Sequence, residues 1–375
     1  MVVLCIGIFI TGKGKQMSDK TGIAWTNATW NPITGCTKVS QGCKHCYAER
    51  EWARLSANPK ATVYYGRAFT DVACHSERLD QPLRWKKPRL IFVNSMSDLF
   101  HEDVPDEFID RVFAVMALAE QHTFQVLTKR PERMLAYLDT PGRGDLIGDQ
   151  AMPKVSKNDF GLLEWPIKNV WLGVSAEDQA SADERIPLLL QTPAAVRWVS
   201  AEPLIGPVDL GEVPVGMFGP LRPYGGGNAD NTGLDWVVCG GESGPNARPM
   251  HPDWVEDLQS ECEEAGVPYF FKQWGEWLPV NQMTETELDK LHRSNRIAKD
   301  GEDQGVIDEV FGTYCMVPTT VVGTDGVCLA VTDSMAFQAG RGGMTTFRVG
   351  THKAGRKLNG KGWEEWPAAN NPVLV

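Results

Sequence analysis

The chain lacks a membrane-spanning stretch. Its N-terminal apolar run, Val2 to Ile10, falls far short of the ~20 residues a bilayer requires. No small-residue cleavage site follows that run, only the basic Lys13–Lys15, so a secretory signal is not the expected reading. A second methionine, Met17, stands before Ser18, and translation is expected to begin there. Residues 1–20 are read as an N-terminal extension without order. The chain also lacks an excess of positive charge. Its formal net charge is −11, so the bulk surface repels nucleic acid except where basic residues cluster. Nine cysteines in 375 residues are too dilute for a secreted disulfide scaffold, and internal repeats and low-complexity tracts are missing. A 42% hydrophobic and 23% charged composition fits one large α/β domain with insertions, or two domains.

What is present alternates. Short runs rich in β-branched and aromatic residues predict strands at Leu90–Asn94, Thr123–Leu127, Asn169–Val174, Val196–Ser200, Leu234–Cys239 and Val267–Phe271. Helical spacing predicts helices at Asp106–Glu120, Pro131–Leu138, Ala182–Leu190 and Asp253–Ala265. Alternation of this kind implies parallel strands joined by right-handed crossovers. The expected fold is α/β, a partial or complete parallel βα barrel over residues 21–277, with a doubly wound open sheet as the alternative. Residues 139–166 and 207–233, rich in Gly, Pro and Asp, read as loop insertions. Residues 278–375 read as an irregular C-terminal excursion ending in a basic tail.

Each predicted strand ends abruptly in polar residues. Asp98, Glu177 with Asp178, Glu202 and Glu242 supply carboxylates; Lys129, Arg130 and Lys272 supply cations. In a parallel barrel these ends share one rim, where active sites are built. Carboxylates suit ammonium and ribose hydroxyl groups, and a guanidinium suits a carboxylate. Helix capping is the competing use of an acidic residue just after a strand.

Cys36, Cys43 and Cys46 lie on one Gly-containing loop, spaced by six and two residues. Three thiolates this close hold an iron–sulfur cluster with one iron left open to a small molecule. A structural zinc site needs a fourth ligand, for which Cys74 or His75 is the candidate. Either site calls for a reducing, cytoplasmic compartment. Of thirteen tryptophans, Trp171, Trp198 and Trp236 fall on predicted strands and read as core. Trp25 and Trp30 flank the cysteine loop as candidate shields, and Trp274 with Trp277 are candidates to line the mouth.

The chain resembles the phage-encoded three-cysteine-motif proteins, a family with radical S-adenosylmethionine character. The resemblance rests on Ile23–Pro32, Gly35–Ser40 with Gly42–Glu49, Met96–Phe100, Leu127–Pro131, Trp171–Ser175, Ser200–Leu204, Gly240–Gly244, Phe271–Gly275 and the closing block Arg348–Gly350 with Ala354–Gly360. It implies a radical-SAM-like partial barrel, with a 4Fe-4S cluster on Cys36, Cys43 and Cys46. It implies that the open iron binds S-adenosylmethionine, which an external electron donor helps cleave to a deoxyadenosyl radical. It also implies phage or prophage origin in a bacterial host. Two features depart from the wider superfamily. The first cysteine gap is six residues where three is common, with His45 where an aromatic usually precedes the last cysteine. The Gly-Gly-Glu that usually follows the second strand is replaced by Asn94–Asp98, and Gly240–Glu242 comes several strands later.

Two basic clusters oppose the acidic whole. Arg341 to Gly362 contains no acidic residue, and Arg84–Arg89 holds four cations around Trp85. Such stretches track phosphate backbones, or simply face solvent or an acidic neighbour. The expected function is therefore a radical SAM-type enzyme acting on nucleic acid or a nucleotide. Asp98, Glu177, Glu202 and Glu242 orient the ligands, and Lys129, Arg130 and Lys272 meet carboxylate or phosphate. The alternatives are a zinc-stapled, non-catalytic module binding nucleic acid or protein, and a nuclease using magnesium or manganese on the rim carboxylates.

Overall fold

The computed structural model describes residues 21–151, 164–215, 220–221 and 233–367. The run Val2 to Ile10, Met17 and the expected N-terminal extension lie outside the described residues, as do parts of both expected insertions. Seven parallel strands form the core: β1 (Ala28–Trp30), β2 (Leu90–Val93), β3 (Thr123–Thr128), β4 (Val170–Ser175), β5 (Val196–Ala201), β6 (Trp236–Gly240) and β7 (Tyr269–Gln273). Their order in the sheet is their order in the chain, so every crossover advances by one position. That excludes the doubly wound alternative, whose order reverses midway. The sheet curls into a half-barrel, and among the described residues no pairing joins β1 to β7. The barrel is thus partial.

Local sequence explains the covering helices. After β2, α2 (Asp106–Leu118) buries Phe108, Ile109, Val112, Phe113 and Met116, the face its apolar spacing predicts. After β4, α5 (Gln179–Gln191) is capped by Asp178, whose carboxylate accepts from the Ser181 amide at 2.9 Å. Here the capping use of a rim carboxylate holds. After β6, α6 (Pro252–Ala265) stops at Gly266, whose left-handed backbone (φ 65°) few other residues adopt cheaply. Residues 139–166 are not all loop: Arg143–Ala151 is helical.

Alternation along the strands decides what fills the barrel. Register pairs Gln125 with Trp171, Gly173 with Trp198, Trp198 with Trp236 and Val238 with Phe270, so these residues share the concave face. Trp25, Trp171, Trp198, Trp236 and Phe270 pack there as one cluster near the N-terminal ends of the strands. Trp25 meets Trp198 edge-on at 5.2 Å. Gly173 makes room: a Cβ there would lie 2.5 Å from the Trp198 ring. From the tail, the Trp363 carbonyl accepts from the Phe271 amide at 2.8 Å, and Trp366 stacks on Trp236 at 5.0 Å. The tail thereby covers the open edge of β7, which would otherwise be left as a pairing template.

The described part of the C-terminal excursion, expected to be irregular, carries antiparallel sheet. Strands β8 (Trp277–Pro279), β9 (Thr319–Val322), β10 (Cys328–Leu329) and β11 (Met344–Arg348) form an antiparallel sheet in the order β8-β11-β9-β10. A second antiparallel pair joins His292–Ser294 to Thr313–Cys315. No helix among the described residues is long and apolar enough to cross a membrane.

Candidate metal and cofactor site at the barrel mouth

The cysteine loop leaves the two-residue strand Ile33–Thr34, which pairs with Ala73–Cys74. At Gly35 the backbone is left-handed (φ 94°) and a side chain would collide with the Asp71 carbonyl, so only glycine makes this turn. Cys36 follows it. Cys43 ends the short 3-10 helix Gln41–Cys43, and Cys46 immediately precedes helix α1 (Tyr47–Ser56). All three are partly buried free thiols.

Polar residues from the strand ends grip the loop. Arg130, just after β3, donates to the Thr37 hydroxyl at 2.7 Å, to the Thr37 carbonyl at 3.3 Å and to the Cys36 sulfur at 3.7 Å. Asp98 and Glu102 hold the same guanidinium at 3.3 and 2.9 Å. Asp98 also accepts from the Thr128 hydroxyl at 2.8 Å and the Lys129 amide at 3.1 Å, tying the ends of β2 and β3 together. His101, fully buried, lies 2.8 Å from the Thr37 hydroxyl. After β4, Glu177 is 1% exposed and takes two cations, Lys129 and Arg185, the latter at 3.1 Å. Ser40 of the loop donates to Glu177 at 3.4 Å, and Gly42 sits so close to it that a Cβ would overlap its side chain. After β6, Glu242 accepts from Arg248 at 2.7 Å and from His45 at 3.1 Å, while Arg248 donates to the Gln41 carbonyl at 3.1 Å. Glu202 after β5 pairs with Lys272 of β7.

Of the eight rim residues predicted from sequence, Asp178 caps a helix and six pair with one another, Asp98 with Arg130, Glu177 with Lys129 and Glu202 with Lys272, while Glu242 pairs with Arg248 and His45. Lys129, Glu202, Glu242 and Lys272 line a cavity of about 1200 Å3; Cys46 and His45 line it too. Asp98, Arg130 and Glu177 stand behind the loop rather than on the cavity wall. Sequence reasoning missed Arg185, Arg248 and His101. Arg185 and Arg248 lie downstream of the strand ends, so no pattern at those ends points to them. Trp25 lines the cavity floor instead of flanking the loop, and Trp30 packs in the main core beneath the helices. Trp274 is buried against Phe271, and neither it nor Trp277 lines the mouth.

Charge differs among the thiols. Burial, with the Asp98 carboxylate nearby, pushes Cys36 up to about 12. Burial also raises Cys46. Cys43 is buried as well, but the Lys129 ammonium and backbone hydrogen bonds outweigh burial and hold it below the ordinary thiol value. Burial depresses Lys129 to about 8, partly offset by Cys43. Burial works against Glu242 too, yet the Arg248 hydrogen bonds hold its carboxyl below the usual range.

Among the described residues no set of three or more His, Cys, Asp or Glu side chains is grouped to hold a metal ion. The three thiols thus do not converge on a single-ion position. Cys74 has Arg111 as its charged neighbour, and His75 has Arg78, Glu77 and Arg67; neither joins the loop as a fourth ligand. A cubane cluster is larger than one ion, and its ligand sulfurs stand farther apart. The donor set suits such a group: three sulfurs, two of them beside the cations Lys129 and Arg130, at the mouth of a cavity. Asn94, just after β2, is strained and unpartnered but does not line the cavity. Its backbone is left-handed (φ 62°), it is 3% exposed, and neither atom of its amide has a hydrogen-bond partner.

Fold and site together define a parallel half-barrel protein with a thiol-bearing loop at its carboxyl mouth. The chain belongs to the family described as "Protein of unknown function (DUF5131)", whose model matches residues 20–367. No curated protein and no solved structure matches it.

Proposed function

We propose that this protein is a radical SAM-type enzyme, with Cys36, Cys43 and Cys46 holding a 4Fe-4S cluster, that acts on a nucleic acid or nucleotide. One observation carries the reading: three thiols sit on a loop at the carboxyl mouth of a parallel half-barrel, and the last of them opens onto a large cavity. The cluster, when bound, would supply the electron that cleaves the sulfonium of S-adenosylmethionine. The chain's own residues bind, orient and exclude water. Arg130 and His101 fix the Thr37 segment, so Cys36 is held from the end of β3. Glu177 supports the loop from below through Ser40 and leaves room only for glycine at position 42. Lys129 offsets negative charge beside Cys43. On the cavity wall, Glu202 with Lys272 offers an acid and a base side by side, complementary to an amino acid's ammonium and carboxylate, and Glu242, held from behind by Arg248, adds a second carboxylate. The Trp25 floor closes the far end against solvent. A reducing bacterial cytoplasm, with phage or prophage origin, is the setting this reading requires.

Anaerobic purification and reconstitution with iron and sulfide test it. The expected product is brown, holds about four irons and four sulfides per chain, and releases deoxyadenosine when reduced with S-adenosylmethionine. A colourless protein with a single zinc sinks the reading.

A further inference from the structure

The cavity does not end at the thiols. It continues to Arg84, Trp85 and Arg89, which line it together with Cys46 and Lys129. Its volume of about 1200 Å3 exceeds the ~300–1,000 Å3 usual for one small-molecule pocket. On the inner wall the cations are already matched: Lys129 with Glu177, Lys272 with Glu202. At this outer lip three cations are not. The side chains of Arg84, Lys86 and Lys87 are exposed and make no hydrogen bond or ion pair with any described residue. Arg89 lies over the Trp85 ring at 4.8 Å, and Trp85 is anchored edge-on against His122 at 6.0 Å.

The other basic stretch shows what structurally committed cations look like. Arg341 pairs with Asp325, Arg348 donates to the Gly244 and Pro245 carbonyls, Arg356 pairs with Glu364, and Lys361 sits on the Trp363 ring. Those charges hold the tail in place. At the lip, the side chains of Arg84, Lys86 and Lys87 hold nothing, while Arg89 is committed to the Trp85 ring. In a chain of net charge −11, three unpaired cations running outward from a cavity entrance are a field for an anion.

The form of the anion follows from spacing. From Arg84 the backbone leaves a short 3-10 helix and runs without helix into β2 at Leu90. Five residue steps reach up to about 17 Å, the scale of several phosphates rather than one. A duplex is too wide to bring a base into the half-barrel, so a base must arrive unpaired. Resting on the proposed reaction at the mouth, we propose that the Arg84–Arg89 lip is a track for the phosphodiester backbone of a single-stranded nucleic acid, one nucleotide of which enters the cavity.

The test needs no cluster. Fluorescence anisotropy of a short labelled single strand, as DNA and as RNA, is measured with the full chain, with Arg84→Glu/Lys86→Glu/Lys87→Glu, and with a charge-matched control, Lys299→Glu/Lys353→Glu/Lys357→Glu. The lip variant is expected to lose roughly tenfold or more in affinity, with the salt slope falling by about 0.7 per lost phosphate contact. The control is expected to bind like the parent. Equal losses in both variants would mean bulk charge alone, and overturn the track. So would a duplex binding as tightly as the single strand, or a mononucleotide weakened as much as the oligonucleotide. The DNA and RNA arms separate the two sources of the same backbone chemistry. A protein that binds the strand through the lip yet never takes up iron would leave the track standing and remove the radical reading; the converse result would do the opposite.

Discussion

At the N-terminal ends of the strands, Trp25, Trp171, Trp198 and Trp236 meet ring against ring on the concave face. At the C-terminal ends, Asp98, Glu177, Glu202 and Glu242 meet Arg130, Lys129, Arg185, Lys272 and Arg248 as ion pairs. The same seven strands carry both. Apolar contact is non-directional and is gained by filling the volume closely. Ion pairs at the rim fix geometry, and leaving one partner unmatched is costly. The floor therefore serves stability, while the mouth spends stability on position. Changes at the two ends should separate accordingly.

The widest separation is expected between Cys43→Ser and Trp198→Ala. Cys43→Ser removes a proposed ligand from a partly exposed loop: iron retention and S-adenosylmethionine cleavage fall below detection, while the thermal midpoint of the iron-free protein stays within a few degrees. Trp198→Ala opens a cavity at a fully buried site and costs about 3–5 kcal/mol, seen as a lower denaturant midpoint. Equal effects of both variants on folding would erase the distinction between the ends.

Much of this contrast was legible beforehand. The strands at Leu90, Thr123 and Val196 begin where their β-branched runs begin, and the tryptophans at 171, 198 and 236 are core as their strand positions imply. The rim carboxylates were legible because a parallel sheet places every strand end on one edge. Three things were not. β1 is three residues long, too short for any period to show. The antiparallel sheet of the excursion pairs β8 with β11 across about seventy residues of chain, so nothing local announces it. The partners of the rim charges, Arg185 and Arg248, lie eight and six residues beyond them, past the strand ends where the pattern shows. For Gly42 a signal did exist: a glycine beside a candidate ligand cysteine is where a close approach is to be expected, and Glu177 makes it.

Glu177→Gln asks whether the mouth is as structural as the floor. It would leave Lys129 and Arg185 facing a neutral amide behind the loop, and Arg185 is 3% exposed at its side chain. The expected loss is about 3 kcal/mol, close to that of a floor variant, measured by urea denaturation. Glu242→Gln should cost far less, because Arg248 and His45 keep a quarter or so of their side chains in solvent. If both cost the same, burial is not what grades the rim.

A smaller contrast comes from two glycines. Gly173→Ala pushes a methyl into the Trp198 ring, which the surrounding indoles keep from moving, and is expected to cost about 1–3 kcal/mol. Gly42→Ala pushes a methyl into the Glu177 side chain at the mouth. There the loop can shift outward, so the expected result is little change in stability and a clear fall in iron retention.

The most local expected effect is one of pH, and its sign is fixed by His75. Arg67 donates to the Thr34 hydroxyl oxygen at 2.9 Å, and that hydroxyl is hydrogen-bonded with His75 Nε2, 2.7 Å away. Burial, with the Arg78 guanidinium nearby, pushes the ring down to about 4 from an ordinary 6.5. The folded state therefore binds fewer protons than the unfolded chain between those values. Stability from this group is complete above pH 6.5 and is lost as pH falls toward 4, reaching about 2 kcal/mol of loss near pH 5. Thr34 stands at the start of the cysteine loop, so hydrogen exchange over residues 34–46 should quicken on going from pH 7 to pH 5, after correction for intrinsic rates. The amides of β5, under the tryptophan floor, should change less. His75→Gln should flatten the loop's response; a loop that still loosens equally with acid would place the titrating group elsewhere.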